Sequence, residues 1–378
     1  MDSKKLEKLL IQNGQPKFRL SQIQKAVFQD GVSSFLEITT ISKDLRELLD
    51  GEMNILSFEV EDVLEAKDGQ SIKALLKIPK CHSERISQQN DESRNLGARS
   101  LDKLEMTEFD LIETVLISPK PGTWSACISC QVGCQMGCRF CATGKMGFKR
   151  DLTAEEITDQ ILFWRQYLKK NLEPRTSNLK PINVSNIVYM GMGEPFNNWE
   201  EVSESIKILT DEKLFGFGSR SLSVSTSGIA DGIIRMASEF PQVNLAISLH
   251  FATDEKRDRY MPVNKKDNLE ALKNALKKYF QITKRKVFLE YIMLDGINDS
   301  ALDARKLAEY IKAIGSSHLL HVNLIRYNTT SEDLKPSTKN RTQSFKQELE
   351  KYHINSTIRK SLGEEIQGAC GQLAGAGG

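Results

Sequence analysis

Apolar residues recur at helical spacing through the first fifty positions: Leu6, Leu9 and Leu10; then, past a break at Gly14 to Pro16, Leu20, Ile23, Val27 and Phe28; then Leu45, Leu48 and Leu49 beyond Ser42. Three short amphipathic helices are predicted, a small accessory unit over 1–53. From Asn54 the period changes to alternation, predicting strands over 55–60, 72–78, 111–117 and 123–129. A polar run at 81–108 interrupts them and reads as a mobile insertion, with Cys81 and His82 incidental at its start. Thr153 with Glu156 makes a capping box for a helix through Ile157, Ile161, Leu162 and Trp164. Strands at 186–190, 222–225, 243–248, 287–293 and 321–325 then alternate with amphipathic helices at 202–209, 229–237, 269–280 and 302–314. Short apolar strands separated by such helices imply a parallel sheet with right-handed crossovers. The expected α/β architecture is a partial (β/α)6 barrel over 123–330, preceded by a β-hairpin extension at 54–122 and followed by a C-terminal segment at 331–378. Function belongs at the carboxyl ends of barrel strands.

Composition changes this picture little. The chain has 378 residues, 39% hydrophobic and 27% charged, which is ordinary globular usage. No apolar run approaches the roughly 20 residues of a membrane span. A net charge of +2 neither demands nor excludes a nucleic-acid partner. No secretory signal is legible, so a reducing, cytoplasmic compartment and a monomer are the expectation, which argues against structural disulfides.

The chemistry concentrates between Cys127 and Cys141, where five of the seven cysteines fall. Cys134, Cys138 and Cys141 form C-x3-C-x2-C, three thiolates on one tight loop and one short of a closed metal site. A four-iron cluster held by three cysteines keeps one iron open to a substrate or cofactor. Two blander readings compete: a zinc ribbon with knuckles at Cys127/Cys130 and Cys138/Cys141, and a disulfide framework. The gap between those knuckles is shorter than the roughly 12 to 20 residues usual for zinc and strands Cys134, so both fit worse.

Further polar groups recur where barrel strands end. Gly191-Met192-Gly193-Glu194-Pro195 follows one strand, with glycines that permit close backbone approach to a ligand and a carboxylate able to accept from an ammonium. Ser225 to Gly228 and Ser248-Leu249-His250 close the next two, and Asn328 follows the sixth. A lone Ser or His is more often structural; the recurrence at successive strand ends raises the functional reading.

Together with the cysteine loop, the segments GMGEP, STSG, SLH, NLIRYN and IRKSLGEEIQGACGQLAG resemble, in order and spacing, the RlmN/Cfr family of radical S-adenosylmethionine (SAM) adenosine methyltransferases acting on RNA. The resemblance implies a radical SAM barrel with a 4Fe-4S cluster on Cys134, Cys138 and Cys141. It implies SAM contacts from Gly193, Glu194, Ser225, Ser248, Leu249, His250 and Asn328. It also implies that Cys370 accepts a methyl group from one SAM, that a radical derived from a second SAM activates that methyl for addition to adenine, and that Cys127 releases the product by forming a disulfide with Cys370. Glu113 matches the proton acceptor; without the resemblance it reads as a solvent-facing strand glutamate. Expected partners are 23S rRNA, tRNA and a reducing flavoprotein.

Departures from the pattern set further expectations. Cys130 stands where many relatives have serine and is a candidate competitor in disulfide exchange. Arg326-Tyr327-Asn328 points to the Cfr branch and carbon 8 of adenine, whereas GMGEP, Ser227 and the ACGQLAG tail favour RlmN and carbon 2. Lys17, Arg19 and Lys25, then Lys145, Lys149 and Arg150, then Lys284, Arg285 and Lys286, are candidate phosphate contacts, although surface charge of this kind is usually just solvated.

Overall fold

The computed structural model of the chain describes residues 1–80, 109–120, 122–171 and 183–374. The polar insertion at 81–108, with Cys81 and His82, lies outside the described residues. The N-terminal helices form as the pattern predicts. Asp2 caps Ser3–Gln12 by accepting from the Lys5 N–H at 2.8 Å, and Ser42 caps Lys43–Glu52 through the Leu45 N–H. Their apolar stripes, Leu6, Leu10, Ile23, Leu45 and Leu49, are buried. The unit docks on the long helix Ala154–Asn171, where Arg165 donates to the Phe28 carbonyl and Gln166 to that of Val32.

The strands are β1 (Glu59–Glu65), β2 (Ser71–Pro79), β3 (Phe109–Lys120), β4 (Thr123–Cys127), β5 (Gln131–Gly133), β6 (Phe148–Asp151), β7 (Val184–Tyr189), β8 (Leu222–Thr226), β9 (Asn244–Ser248), β10 (Val287–Met293), β11 (Leu320–Arg326) and β12 (Ser356–Arg359). All but β5 and β6 share one sheet, in the order β1-β2-β3-β4-β7-β8-β9-β10-β11-β12. Pairing is antiparallel from β1 to β4 and parallel from β4 to β12. The β-hairpin extension forms the antiparallel wing of the barrel sheet.

Helices Ala154–Asn171, Trp199–Thr210, Ala230–Glu239, Leu269–Thr283 and Ala301–Ile314 cover the parallel strands, whose Ile187, Val224, Leu245, Leu289 and Val322 are fully buried. Three local expectations are corrected. The first strand starts at Glu59 rather than residue 55, because Ile55 and Phe58 are spent as buried anchors, Phe58 edge-on to Phe163. The strand expected over 123–129 leaves the sheet at Cys127. A further parallel strand, β12, escaped the periodicity because its four residues, STIR, are a half-exposed edge without an apolar run. Among the described residues no helix is long and apolar enough to cross a membrane.

Candidate active site

The cysteine loop leaves the sheet at the carboxyl end of β4 and is stitched at once to the glycine turn after β7. The Cys130 N–H donates to the Met192 carbonyl at 2.9 Å, and the Gly191 N–H to that of Ile128 at 3.0 Å. The Ser129 hydroxyl accepts from the Met192 N–H at 2.8 Å and donates to the Glu113 carbonyl at 2.6 Å. The Gln131 side chain accepts from the Glu194 N–H at 2.8 Å. This explains the glycines differently from the sequence reading. A Cβ on Gly191 would lie 2.7 Å from the Ile128 backbone, so this glycine allows chain to approach chain rather than ligand. The neck of the loop is equally tight: β5 pairs with β6, the Cys134 N–H donates to the Gly147 carbonyl at 2.8 Å, and a Cβ on Gly133 would sit 1.9 Å from that oxygen.

Within this loop Cys134 and Cys138 are buried and Cys141 is half-buried. Burial pushes the Cys134 thiol up to about 12 and that of Cys138 well above its ordinary value. The neighbouring thiols of the set add to both shifts, so the three share one electrostatic neighbourhood. The donor set fits an iron-sulfur cluster, whose positive iron would offset the cost of holding thiolates there. Among the described residues no three His, Cys, Asp or Glu side chains converge as ligands of one ion do. Thiolates serving separate irons of a cluster need no such convergence.

The remaining rim residues surround the loop. Glu194 is buried, its carboxylate accepting from the Ser227 N–H at 2.7 Å and the Phe196 N–H at 3.3 Å, and burial raises its pKa. His250 sits at φ 56° with its ring edge-on to Phe140 at 4.8 Å. Its Nδ1 accepts from the Ile292 N–H at 3.2 Å, which leaves the ring proton on Nε2. Burial, aided by nearby Arg257, lowers its pKa to about 3, so the ring is neutral. Ser225 and Ser248 are half-buried on neighbouring strands, and Leu249 is buried. Asn328 is buried and its polar atoms are engaged by the C-terminal segment: Nδ2 donates to the Cys370 carbonyl at 3.1 Å and Oδ1 accepts from Ser361 at 2.8 Å.

That segment crosses from β12 to β2 and β3 and is fastened to the cysteine loop on the way. The Ala142 N–H donates to the Gly371 carbonyl at 2.8 Å, the Thr143 hydroxyl to that of Leu373 at 2.6 Å, and the Ala374 N–H to Glu113 Oε2 at 2.7 Å. Cys127 and Cys370 thereby reach one electrostatic environment. Burial, and then the charge of Cys370, push the Cys127 thiol up to about 12. Cys370 is exposed, yet desolvation by the surrounding chain raises its pKa, with the Arg359 guanidinium opposing the rise. Glu113 is not the solvent-facing strand glutamate that its sequence context suggests. It is buried on β3, and Lys73 of β2 pairs with it at 2.8 Å.

Two further residues singled out in the sequence lie in surroundings that the sequence did not show. Cys130 is buried against Gly193, and the charges that act on its thiol are those of Glu194, Cys134 and Asp151. Arg150, expected as a candidate phosphate contact, has its guanidinium engaged by Glu156, at 2.8 and 2.9 Å, and by Asp110, at 3.1 Å, which leaves little of it for a phosphate. Lys149 stays largely exposed, 3.7 Å from Asp110. Sequence reasoning missed Lys73, Ser129, Gln131 and Arg257, all buried polar groups of the site. The only available signal was a polar residue inside an apolar run, as Lys73 is in SIKALLKIP.

Residues 128–308 match the family model described as "Radical SAM superfamily", and residues 1–55 that of the "Ribosomal RNA large subunit methyltransferase N-terminal domain". Barrel, rim and three-cysteine loop thus define a radical SAM enzyme, a class whose cofactors are a 4Fe-4S cluster and SAM. The chain is 36% identical over 375 residues to a Bacillus velezensis protein named ribosomal RNA large subunit methyltransferase Cfr, covering 98% of this chain and 95% of that one. It is 37% identical over 366 residues to a Streptococcus suis protein named probable dual-specificity RNA methyltransferase RlmN, covering 96% and 88%. The crystal structure of a radical SAM methyltransferase from Sphaerobacter thermophilus matches with a TM-score of 0.82 at 33% identity, covering 99% of this chain and 97% of that one. The chain belongs to the RlmN/Cfr family of radical SAM RNA methyltransferases.

Proposed function

We propose that the protein methylates carbon 2 of an adenosine in 23S rRNA and in tRNA, with Cys370 as methyl carrier, Cys127 as resolving thiol and Glu113 as proton acceptor. The named activities of the relatives, on large-subunit ribosomal RNA for one and of dual RNA specificity for the other, support the substrate class. The observation that carries the reading is the second set of thiols. Cys127 ends β4 where the cysteine loop begins, the Ala142 to Gly371 hydrogen bond holds the Cys370 segment beside that loop, and the charge of Cys370 acts on the Cys127 thiol.

Carbon 2 of adenine is not nucleophilic, so it cannot attack the methyl of SAM directly, and a carrier is needed. The Cys370 sulfur takes the methyl by displacement from SAM, which requires its thiolate; Arg359 favours that form against the burial that opposes it. Cys134, Cys138 and Cys141 would hold the cluster, which with SAM would supply the one-electron chemistry that makes the carried methyl reactive. Once the ring is joined through that carbon to Cys370, Glu113 accepts the ring proton, and a one-electron acceptor at the cluster site would take up the odd electron left on the ring. The Cys127 thiolate then attacks the Cys370 sulfur to close a disulfide, the carbon–sulfur electron pair goes to the methylene carbon, and that carbon takes back a proton from Glu113 to leave as the methyl of the base. Lys73 and the Ala374 N–H fix the carboxylate for this task. A cytoplasmic location and a reducing flavoprotein as electron donor belong to the same reading.

Cys127→Ala tests it. With SAM, reductant and RNA, this variant is expected to stall with RNA joined to Cys370, seen as a shifted band on a denaturing gel and located by peptide mass spectrometry. Free methyladenosine at the wild-type rate, or an adduct on another cysteine, refutes the assignment. Digestion of wild-type product against standards reads the ring position; 8-methyladenosine would move the protein to the carbon 8 branch.

A further inference from the structure

The helix Asp254–Tyr260 carries Arg257 into the interior beneath the rim, where its side chain is fully buried. Nη2 donates to the Ser227 carbonyl at 2.9 Å, and Nη1 donates to the carbonyls of Leu249 and, at 3.4 Å, Ser248. Nε donates to Asn264 Oδ1 at 2.9 Å. The Asn264 amide in turn donates to Asp254 at 3.0 Å and Asp258 at 2.8 Å, so Asn264 links these carboxylates to the guanidinium, which also feels their charge through space. Burying a guanidinium costs several kcal/mol, and a well-packed apolar residue often serves stability as well. Here the donors go to the backbone just past β8 and at the end of β9, the two strand ends that carry Ser225, Ser248, Leu249 and His250. Space around it is equally specified: a Cβ on Gly228 would lie 3.2 Å from Nη2. The helix that carries Arg257 is itself fastened to the cysteine loop, the Arg139 N–H donating to the Tyr260 carbonyl at 3.0 Å.

We propose that Arg257 is a positioning residue that locks the ends of β8 and β9 into one SAM-binding shelf against the cysteine loop. The planar fork suits this task because it bonds two separate strand ends from fixed directions, which a lysine ammonium cannot reproduce. The proposal rests on the reading that Ser248 and Glu194 border SAM.

The test measures SAM binding by equilibrium dialysis on cluster-reconstituted protein, with iron content, melting temperature and RNA affinity recorded beside it. Arg257→Met is expected to weaken SAM binding about tenfold or more, with iron content and RNA affinity retained, and Arg257→Lys to recover part of the loss. Asn264→Ala, which leaves the guanidinium in place but frees its Nε, is expected to give an intermediate loss. If Arg257→Met does not fold, Arg257→Lys and Asn264→Ala decide by the same measure. Wild-type SAM affinity in the folded Arg257 and Asn264 variants, while Ser248→Ala and Glu194→Gln weaken binding, overturns the proposal. Wild-type affinity in Ser248→Ala and Glu194→Gln as well would overturn instead the assignment of this rim to SAM.

Discussion

Replacing Lys73 by Met removes an ammonium that pairs with Glu113 and takes away part of what compensates this buried carboxylate. The pair is tight, 2.8 Å, with side chains only 10% and 5% exposed, so solvent cannot substitute for the lost ammonium. Breaking a buried pair from one side costs about 3 to 5 kcal/mol. An unfolding entropy of about 2.1 cal/mol/K per residue gives about 0.8 kcal/mol/K for this chain, so the melting midpoint should fall by about 4 to 6 °C. The Ala374 N–H remains as a donor to Glu113 and favours the lower end of that range. Differential scanning fluorimetry of Lys73→Met, Glu113→Gln and the double variant reads the coupling. Because the double variant strands no charge, it should melt above Lys73→Met, by about half the loss or more. A shift under about 1 °C for Lys73→Met, or a double variant that melts at or below it, would refute the account of this pair.

Two other consequences can be checked directly. Above about pH 6.5 His250 is neutral in both folded and unfolded chains and contributes no pH dependence; below it the unfolded chain takes up a proton that the folded ring refuses until about 3. Stability should therefore fall by up to about 1.4 kcal/mol per pH unit from this group, roughly 2 kcal/mol at pH 5, and denaturant titrations of His250→Gln should show a slope shallower by that amount. Arg150→Gln, which removes the buried guanidinium between Asp110 and Glu156 and leaves only the exposed Lys149 ammonium near Asp110, should cost about 3 kcal/mol of stability. Lys149→Gln should leave the melting temperature almost unchanged and flatten the salt dependence of RNA binding by up to about one unit of slope. A stable Arg150→Gln protein with a flattened slope would return Arg150 to the phosphate contacts.

What the sequence determined by itself is what depends on neighbours along the chain. The three-cysteine spacing, the switch from period 2 to period 3.6 and the capping box are each complete within a few residues. Accordingly Thr153 and Glu156 exchange their predicted hydrogen bonds, at 2.9 and 3.2 Å, and the β/α alternation appears where the periods place it. The motifs that carry the family resemblance were legible for the same reason. Tertiary structure decided the rest, since a charge or thiol reads alike in sequence whether water or protein surrounds it. Arg150 resembles its exposed neighbour Lys149 until β6 brings it to Asp110 at the start of β3 and to Glu156. Glu113 resembles a surface glutamate until antiparallel pairing sets β2 beside β3 and Lys73 against it. Arg257 resembles any helical arginine until the crossover from β9 folds its helix beneath the strand ends. In each case the partner comes from a separate element, and only sheet register and the crossover path bring the two within hydrogen-bonding distance.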